Sequence, residues 1–557
     1  MEQCEIESFT NNIFLYFVCG PALFVYLVLA KLGYTAMKRI LVFLLLSRVI
    51  TQTCLAQILP AETALLNYRL IAFSFPNRPD ATWADLQIAD GNFTSDTLFQ
   101  QHIIRTESCF TGRVITEVPL WGHQYTWRTV FITGNSRIEK SELHHFTTMV
   151  RPGADTNFVR LRVVQPSQKY KDNFVCLDGN KAIHDMEGNM VWCMQERPFT
   201  KDDVRDIKLN NSGTLTFLVG EAAYEMNYNG DILWQAPKPG HISGDSTEHF
   251  HHEFTKLASG HYMLLGQAST VWKQSTDTGV NPVFPTLLEY NERGKLVWSW
   301  RSSTYFKQSD IFCCLPPSLS KQTYDITHAN AFYFDEKNQV IYISFKTISR
   351  ILKVKYPEGI VLDAWGEQFE QGKEQRGNGL FCRQHAVKCS DNGSIYLFNN
   401  NTCNSSSPSV VVLQQPGKKG QALKKIWEYQ CRNENDKPML CDYGGNVMEL
   451  PDASMFINWP FPYSEISIVG RDKNTLWSAI PERLDPVGNT WEKAPQYRAS
   501  IVDRKTMEKF IWTAEKQMLA DGSIAGLSAQ AHISPPAKHT RFQPVSAEIP
   551  LRLPIKF

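Results

Sequence analysis

The sequence predicts an all-β protein in which a six-bladed β-propeller follows a small β-sandwich domain. Aromatic residues make up 12% of the 557 residues, a content typical of strand-rich chains. A strand-and-turn unit that ends in tryptophan recurs along most of the chain. The formal net charge is +1 with 20% charged residues, which argues against a nucleic-acid partner and against a disordered acidic chain.

Residues 1-56 are predicted to be transmembrane or signal segments and are set apart from the fold. The first, Ile13 to Ala30, is an uncharged run of eighteen residues, just long enough to cross a bilayer. The second, Met37 to Ala56, has the basic start and apolar centre of a secretory signal peptide. Either the two segments form a membrane hairpin or the true start is Met37. Both arrangements place everything after Gln57 in the secretory pathway, lumenal or extracellular, secreted or membrane-anchored.

Two further features fit a lumenal or extracellular glycoprotein. Ten cysteines follow Gln57, an even number suited to disulfides, although their pairing cannot be read from the sequence. Acceptor motifs for N-glycosylation occur at Asn92, Asn210, Asn392, Asn400 and Asn404.

Residues 57-152 are predicted to form the β-sandwich-like N-terminal domain. Short alternating strands broken by turn residues support this prediction, for example residues 112–121 and 126–133. Residues 153-557 are predicted to form the propeller, because the repeat starts near Phe158.

Each repeat unit has two halves. The first is a turn and an apolar strand that ends in tryptophan, at Trp192, Trp234 and Trp298, with weaker versions at Trp365, Trp427 and Trp512. The second is another turn and a strand, starting at Ser212, Ser259, Asn338, Asn392 and Asp452. The units recur every 42 to 67 residues, which suits six four-stranded blades with loop insertions. We expect the tryptophans to pack blade against blade.

Three histidine clusters stand shortly before predicted strands in successive units, at residues 249–254, 325–330 and 383–386. Equivalent positions in successive blades of a propeller point into the central channel. We therefore expect His252, His328 and His385 to converge.

These motifs resemble the aryl sulfotransferase family. The resemblance rests on His251-His252-Glu253-Phe254, on Asp325-x-x-His328-x-Asn330, on Gln384-His385 before a Gly-turn strand, and on Gln496-Tyr497-Arg498-Ala499. It covers residues 158 to 512 and implies transfer of a sulfuryl group from a phenolic sulfate donor to a phenol acceptor. It implies no cofactor, and the chain accordingly lacks a Gly-x4-Gly-Lys-Ser/Thr phosphate-binding loop.

The resemblance also implies roles for the histidines. His385 would attack sulfur and carry a transient sulfo group, since a neutral imidazole is nucleophilic. His252 and His328 would bind the sulfuryl oxygens or protonate the departing phenolate. His251 is an alternative to His252, because neighbouring residues on a strand face opposite ways.

Asn330 and a cation would bind the developing negative charge on the sulfuryl oxygens. Bacterial members of the family have an arginine eighteen residues after the middle histidine, and Lys346 stands at that position here. Arg350 follows four residues later. Lysine keeps the charge but lacks the planar bidentate fork of arginine.

Two other functions stay open at the level of sequence. His249, His251, His252 and Glu253 could bind zinc or iron in a metallohydrolase. The chain could also be a non-catalytic extracellular propeller that binds a protein or glycan, an alternative that lysine instead of arginine at position 346 keeps open. Further possible partners are the membrane, through an uncleaved N-terminal segment, and a second copy of the chain in a homodimer.

Overall fold

The computed structural model describes residues 58–109, 111–134, 137–150, 159–195, 203–237, 240–241, 247–269, 281–306, 323–325, 327–366, 379–431, 439–485 and 487–520. The segments predicted within residues 1-56 lie outside these ranges. Among the described helices, none is both long and apolar enough to cross a bilayer. The described residues are predominantly β-strand, so the all-β prediction is confirmed.

The N-terminal region forms a six-stranded and a two-stranded sheet. Its strands are β1 (Ala64–Leu66), β2 (Leu70–Ser74), β3 (Ala81–Asp90), β4 (Ile103–Ser108), β5 (Arg113–Glu117), β6 (Gln124–Thr133), β7 (Ile138–Lys140) and β8 (His144–Thr148), with helix α1 (Asp96–Gln101) after β3. The larger sheet has the order β1-β8-β6-β3-β4, with β7 on β6, and β2 pairs with β5. Both sheets contribute to one apolar core that includes Phe73, Leu86 and Trp127.

Six further sheets follow, and we number them along the chain. Sheet 1 contains β10 (Asn173–Leu177), β11 (Ala182–Asp185), β12 (Met190–Cys193) and the late strand β36 (Ala499–Asp503). Sheet 2 contains β13 (Val204–Leu209), β14 (Leu215–Val219), β15 (Ala222–Met226) and β16 (Ile232–Gln235). Sheet 3 contains β17 (Gly240–His241), β18 (Thr247–Lys256), β19 (Tyr262–Ser269), β20 (Asn281–Tyr290), β21 (Leu296–Arg301) and β22 (Thr323–Asp325).

The last three sheets repeat this pattern. Sheet 4 contains β23 (Ala329–Asp335), β24 (Val340–Phe345), β25 (Arg350–Lys355) and β26 (Ile360–Gly366). Sheet 5 contains β27 (His385–Cys389), β28 (Ile395–Asn399), β29 (Ser409–Gln414) and β30 (Lys424–Gln430). Sheet 6 contains β31 (Asn446–Glu449), β32 (Met455–Trp459), β33 (Glu465–Val469), β34 (Thr475–Asp485), β35 (Thr490–Lys493) and the early strand β9 (Val159–Gln165), and helix α2 (Arg504–Ala520) follows β36.

One strand of each sheet lies against its counterparts in the neighbouring sheets, and we call these the inner strands. They are β36, β13, β18, β23, β27 and β31, in that order of contact, and β31 in turn contacts β36. Buried polar side chains link the inner ends of successive sheets through backbone groups. These links are Asp178 to the N–H of Asp206, Asp206 to the N–H of Phe254, Asn330 to the carbonyl of Gln384, Asn400 to the carbonyl of Cys441, and Asn446 to the carbonyl of Ala499.

The tryptophans of the repeat pack between sheets, as predicted. The indole N–H donates to a carbonyl in the next sheet from Trp192 to Tyr228, from Trp298 to Pro357, from Trp427 to Arg471, and from Trp477 back to Met186 of sheet 1. The assignment of Trp512 to the sixth unit is wrong, because Trp512 lies in helix α2 and Trp477 occupies strand β34. Buried Met507, Phe510, Ile511 and Ala514 give that segment a helical period.

Most cysteines in the part of the chain that the structure describes do not form disulfides. Cys382 and Cys403 form a disulfide. Five other cysteines in the described ranges are free and buried: Cys109, Cys176, Cys389, Cys431 and Cys441. Cys193 is also buried. The even number of cysteines after Gln57 therefore does not reflect complete pairing, because these five are free thiols.

Candidate active site

The predicted site lies where the inner strands are irregular. The pairing register shifts in β13, β18, β23 and β27. At or beside these shifts, Asp206, His252, His328 and Ala386 have positive φ angles of 56°, 61°, 47° and 52°. Such angles cost a residue with a side chain about 1–3 kcal/mol, and a β-bulge redirects the side chains around it. Four successive sheets thus carry the same strained feature, and two of them use it to place a predicted histidine.

His252 and His328 meet directly. Their rings are perpendicular, with centroids 4.9 Å apart. The Nδ1 atoms of His251 and His252 lie 2.5 Å apart, so one ring donates to the other. The phenol ring of Tyr497 lies 5.9 Å from the His252 ring. Both candidates for the first histidine therefore belong to one cluster, and His252 is the one whose ring contacts His328.

His328 is oriented by Asp325. One carboxylate oxygen lies 2.8 Å from His328 Nδ1, and the other accepts the His328 backbone N–H at 2.9 Å. This pair of contacts fixes the ring and leaves Nε2 as the nitrogen available for chemistry.

His385 is buried, with an exposed fraction of 2%. Its Nδ1 lies 2.7 Å from Oδ1 of Asn400, and its Nε2 accepts the backbone N–H of Gly444 at 3.3 Å. The proton of the neutral ring is therefore on Nδ1 and the lone pair is on Nε2.

The cluster holds His251, His252 and His385 in the neutral form. Burial lowers the pKa of His385 well below 6.5, and the charges of Lys346 and Arg498 lower it further. Burial, together with the charges of His251 and His328, also holds the pKa of His252 well below 6.5. For His251, burial lowers the pKa to about 4. These mutual influences place the histidines and the two cations within electrostatic reach of one another.

Asn330 is completely buried between the histidines and the last strand. Its side-chain Nδ2 donates to the backbone carbonyl of Gln384 at 2.8 Å. The backbone carbonyl of Asn330 accepts from Arg498 Nη2 at 2.8 Å. The side-chain Oδ1 of Asn330 makes no hydrogen bond within the described part of the chain. The amide thus anchors the residue before His385.

Lys346 joins the cluster through its backbone and its charge. Its N–H donates to the carbonyl of His328 at 2.9 Å. Burial lowers the pKa of its ammonium group, and Asp442, whose Oδ1 lies 3.9 Å from Nζ, partly offsets this effect. Arg350 is also buried, and its guanidinium lies over the ring of Phe306, 5.8 Å from the centroid. Its predicted role in substrate binding stays a prediction.

A buried ion cluster lies next to the histidines, formed by Asp206, Lys208, Glu253, Lys388 and Arg498. Lys208 Nζ lies 2.6 Å from Glu253 and 2.8 Å from Asp206, and Arg498 Nη2 lies 3.1 Å from Glu253. Burial raises the pKa of Glu253, but Arg498 and Lys208 outweigh it, so the pKa is lowered overall. Because removing one partner of a buried ion pair is costly, this cluster holds the strands of His252 and His385 in place.

The structure gives no support to the metallohydrolase alternative. His249 pairs with Glu221, and Glu253 belongs to the ion cluster. Among the residues that the structure describes, no group of three or more His, Cys, Asp or Glu side chains is arranged to hold a metal ion.

Sequence reasoning missed several residues of this site. Arg498 and Tyr497 stand in a motif that supports the family resemblance, yet neither was assigned to the site. Asn400 was interpreted as a glycosylation acceptor, which is wrong for a fully buried side chain with all its contacts inside the protein. The only signal in the sequence for Asn400 is its position as a polar residue directly after the strand that follows His385.

A known protein family resembles the part of the chain that contains the three histidines. Residues 160–430 match the family model described as Arylsulfotransferase (ASST). Residues 160–430 of this chain are thus similar to the arylsulfotransferase family. This match supports an aryl sulfotransferase activity in general, with phenolic sulfates and phenols as the substrate class that the family implies. The matched range includes His252, His328 and His385 and ends before Arg498.

Other comparisons add less about this chain. No curated protein matches it. Among solved structures, a candidate 6-phosphogluconolactonase from Bacteroides fragilis is 10% identical with a TM-score of 0.33, covering 77% of this chain and 100% of that chain. An auxiliary nutrient binding protein from Bacteroides thetaiotaomicron is 8% identical with a TM-score of 0.29, covering 81% and 95%. The periplasmic gluconolactonase of Pseudomonas aeruginosa is 9% identical with a TM-score of 0.25, covering 76% and 99%. Because these TM-scores are low, we draw no conclusion from the likenesses.

Proposed function

We propose that the protein transfers a sulfuryl group from a phenolic sulfate ester to a phenol through a transient sulfo group on His385. The observation that carries this proposal is the convergence of three histidines from successive sheets, one of them neutral, buried and with its lone pair on Nε2. No nucleotide sulfate donor takes part in the proposed reaction.

We also infer that sheets 1 to 6 form a closed six-bladed propeller, with residues 153-557 as the catalytic domain and residues 57-152 as a sandwich before it. The contact of β31 with β36 supports closure, as does the hydrogen bond from Trp477 to Met186. A late strand, β36, completes sheet 1 beside the early strand β10. Such a pairing of the two ends of the chain would lock the ring.

In the first half of the reaction, Nε2 of His385 forms a bond to sulfur while the bond from sulfur to the phenolic oxygen breaks. The electron pair of the broken bond goes to the departing phenolate, which takes a proton from His328. In the second half, His328 takes the proton of the acceptor phenol, whose oxygen attacks sulfur. The pair of the N–S bond then returns to Nε2.

The remaining residues bind the sulfuryl oxygens. Lys346 supplies positive charge, and His252, kept neutral by its surroundings, donates an N–H, with His251 as the partner that fixes its ring. The side-chain amide of Asn330 lies in the histidine cluster and bonds to the carbonyl of Gln384, so it holds the strand of His385. The transition state of sulfuryl transfer places charge on these oxygens, and fixed donors stabilise it without reorganisation.

We further propose that the protein works outside the cytosol, secreted or anchored by its N-terminal segment. The disulfide between Cys382 and Cys403 agrees with this location, because disulfides persist mainly in oxidising compartments.

The proposal is tested by incubating the purified full chain with a chromogenic aryl sulfate and a phenol acceptor. We expect release of the chromogenic phenol and sulfation of the acceptor, both abolished in His385→Ala. The matched control is His249→Ala, whose ring pairs with Glu221, and this variant should retain activity. Sulfate transfer by a folded His385→Ala protein would contradict the proposal.

A further inference from the structure

The contacts of Asn400 point to a function that neither the family match nor the sequence assigns to it. We propose that Asn400 is a positioning residue, which fixes the tautomer of His385 and places the N–H of Gly444 beside the reactive nitrogen. This inference rests on the proposed sulfohistidine mechanism and deepens it.

The orientation of the Asn400 amide follows from its partners. Its Nδ2 lies 3.0 Å from the carbonyl oxygen of Cys441 and 3.3 Å from that of Gly444, and both of these groups only accept hydrogen bonds. A flipped amide would place its oxygen against two carbonyl oxygens. Oδ1 must therefore face His385, and because Oδ1 only accepts, Nδ1 of His385 must carry the proton.

The backbone N–H of Gly444 independently indicates the same tautomer of His385. A backbone N–H only donates, so His385 Nε2, 3.3 Å away, must offer a lone pair. Gly444 has φ +70°, and an added Cβ would lie 3.3 Å from the carbonyl oxygen of Tyr497. At Gly445, with φ +89°, a Cβ would lie 2.5 Å from the ring of Phe398. Glycine is thus required for this backbone to approach the histidine.

These contacts have a role in the transfer step. When Nε2 bonds to sulfur, the N–H of Gly444 loses its acceptor and faces the new sulfuryl oxygens, to one of which it can donate. The sulfated ring keeps its Nδ1 proton and becomes positively charged, and the carbonyl oxygen of Asn400 stabilises that charge. When the acceptor takes the sulfuryl group, the electron pair returns to Nε2 and the original contacts re-form.

The groups around His385 define what a charge at position 400 would do. Lys346 and Arg498 are the positive charges that face His385, and His328 and His252 are the other titratable side chains beside it. The thiol of Cys441 lies against Asn400, 3.6 Å from Nδ2. A carboxylate at position 400 would be the nearest negative charge to His385.

The test compares Asn400→Asp with the matched control Asn446→Asp. Asn446 makes the equivalent link between sheets, and its side-chain amide bonds to the carbonyl and to the N–H of Ala499. In Asn400→Asp we expect the apparent pKa on the acidic side of the kcat profile to rise by about 1–3 units, because an opposite charge favours the imidazolium. We expect kcat to fall while KM changes little. In Asn446→Asp the profile should keep its position even if the thermal stability falls.

A second measurement does not depend on turnover. The protein is labelled with ¹⁵N-histidine, and the His385 signals are assigned by their loss in His385→Gln. We expect wild type to show a protonated Nδ1 and a bare Nε2 at pH 7, and Asn400→Leu to lose this single tautomer.

The outcomes separate the two proposals. An Asn400→Asp profile identical to wild type, or an Nε2-protonated ring in wild type, would overturn the role of Asn400. If wild type transfers no sulfate, the proposed function fails, and the NMR tautomer alone then decides whether Asn400 positions His385.

Discussion

Burial decides what the histidines of this protein can do. An exposed histidine has a pKa near 6.5 and is partly charged in mildly acidic compartments. The pKa values of His385 and His252 are held well below that value by burial and by neighbouring positive charge. Neutral rings offer a lone pair, so the residues that crowd the site would also prepare the proposed nucleophile for attack on sulfur.

Lys346 is the residue whose charge the proposed mechanism most depends on after the histidines. We predict that Lys346→Met lowers kcat/KM for an aryl sulfate by about 10²–10³-fold, the usual cost of removing one donor from a charged transition state. Lys346→Arg should recover most of this loss, because it keeps the charge and adds a second donor.

The control is Lys353→Met, which removes a lysine of β25 that bonds to Gln415. Its kcat/KM should remain near wild type. If Lys346→Met also stays within about two-fold of wild type, Lys346 does not bind the sulfuryl group.

The sequence predicted the chemical residues better than their contacts. His252, His328 and His385 could be found because histidines recur at equivalent places in the repeat. The left-handed backbone of His252 and His328 could not be predicted, because it arises from the pairing of strands rather than from the residue type. The pairing of His385 with Asn400 likewise depends on a turn whose geometry the local sequence leaves open.

At the scale of elements, the disulfide brackets the proposed catalytic pair. Cys382 stands three residues before His385, and Cys403 stands three residues after Asn400. The bond therefore ties the segment entering β27 to the turn leaving β28. We infer that it helps to keep the ring of His385 against the amide of Asn400.

We predict that the double variant Cys382→Ser/Cys403→Ser loses about 3 kcal/mol of unfolding free energy, as expected for closure of a loop of this size. We expect kcat to fall as well, since the contact between His385 and Asn400 loosens. Urea unfolding and steady-state kinetics measure the two effects.

A reductant provides the matched control. Dithiothreitol should reproduce the loss in wild type and change nothing further in the double variant. Full activity in the double variant would show that the sheet alone positions His385.

Turn-and-strand units were predicted well because their turns are marked by Gly, Asn and Asp before an apolar strand. The strands predicted after Ser212, Ser259, Asn338, Asn392 and Asp452 are present as β14, β19, β24, β28 and β32. The unit ending at Trp512 failed because an amphipathic helix also spaces aromatic residues among polar ones. Only packing of Phe510 and Ile511 on the core of sheets 1 and 2 distinguishes the two cases.

At the scale of the whole molecule, the site depends on both ends of the repeat. Arg498 comes from the segment before β36, yet it pairs with Glu253 of β18 and with the carbonyl of Asn330. The sequence could not indicate these contacts, because they join residues that are far apart in the chain. Closure of the ring and assembly of the site are thus expected to be one event.

Substitution of Trp477 and of Trp512 tests this closure. We predict that Trp477→Ala, which empties a fully buried position that bonds to Met186, costs about 3–5 kcal/mol of unfolding free energy. Trp512→Ala should cost less, because that side chain is only partly buried on α2. Equal losses in chemical unfolding would contradict closure between sheets 6 and 1.

The most direct measurement is detection of the sulfo group itself. The full chain is incubated with an aryl sulfate in the absence of a phenol acceptor, quenched at alkaline pH, and its peptides are examined by mass spectrometry. We predict one added sulfo group on the peptide that contains His385, removed when a phenol is added before quenching. Turnover accompanied by a sulfo group on another residue, or by none at all, would contradict transfer through His385.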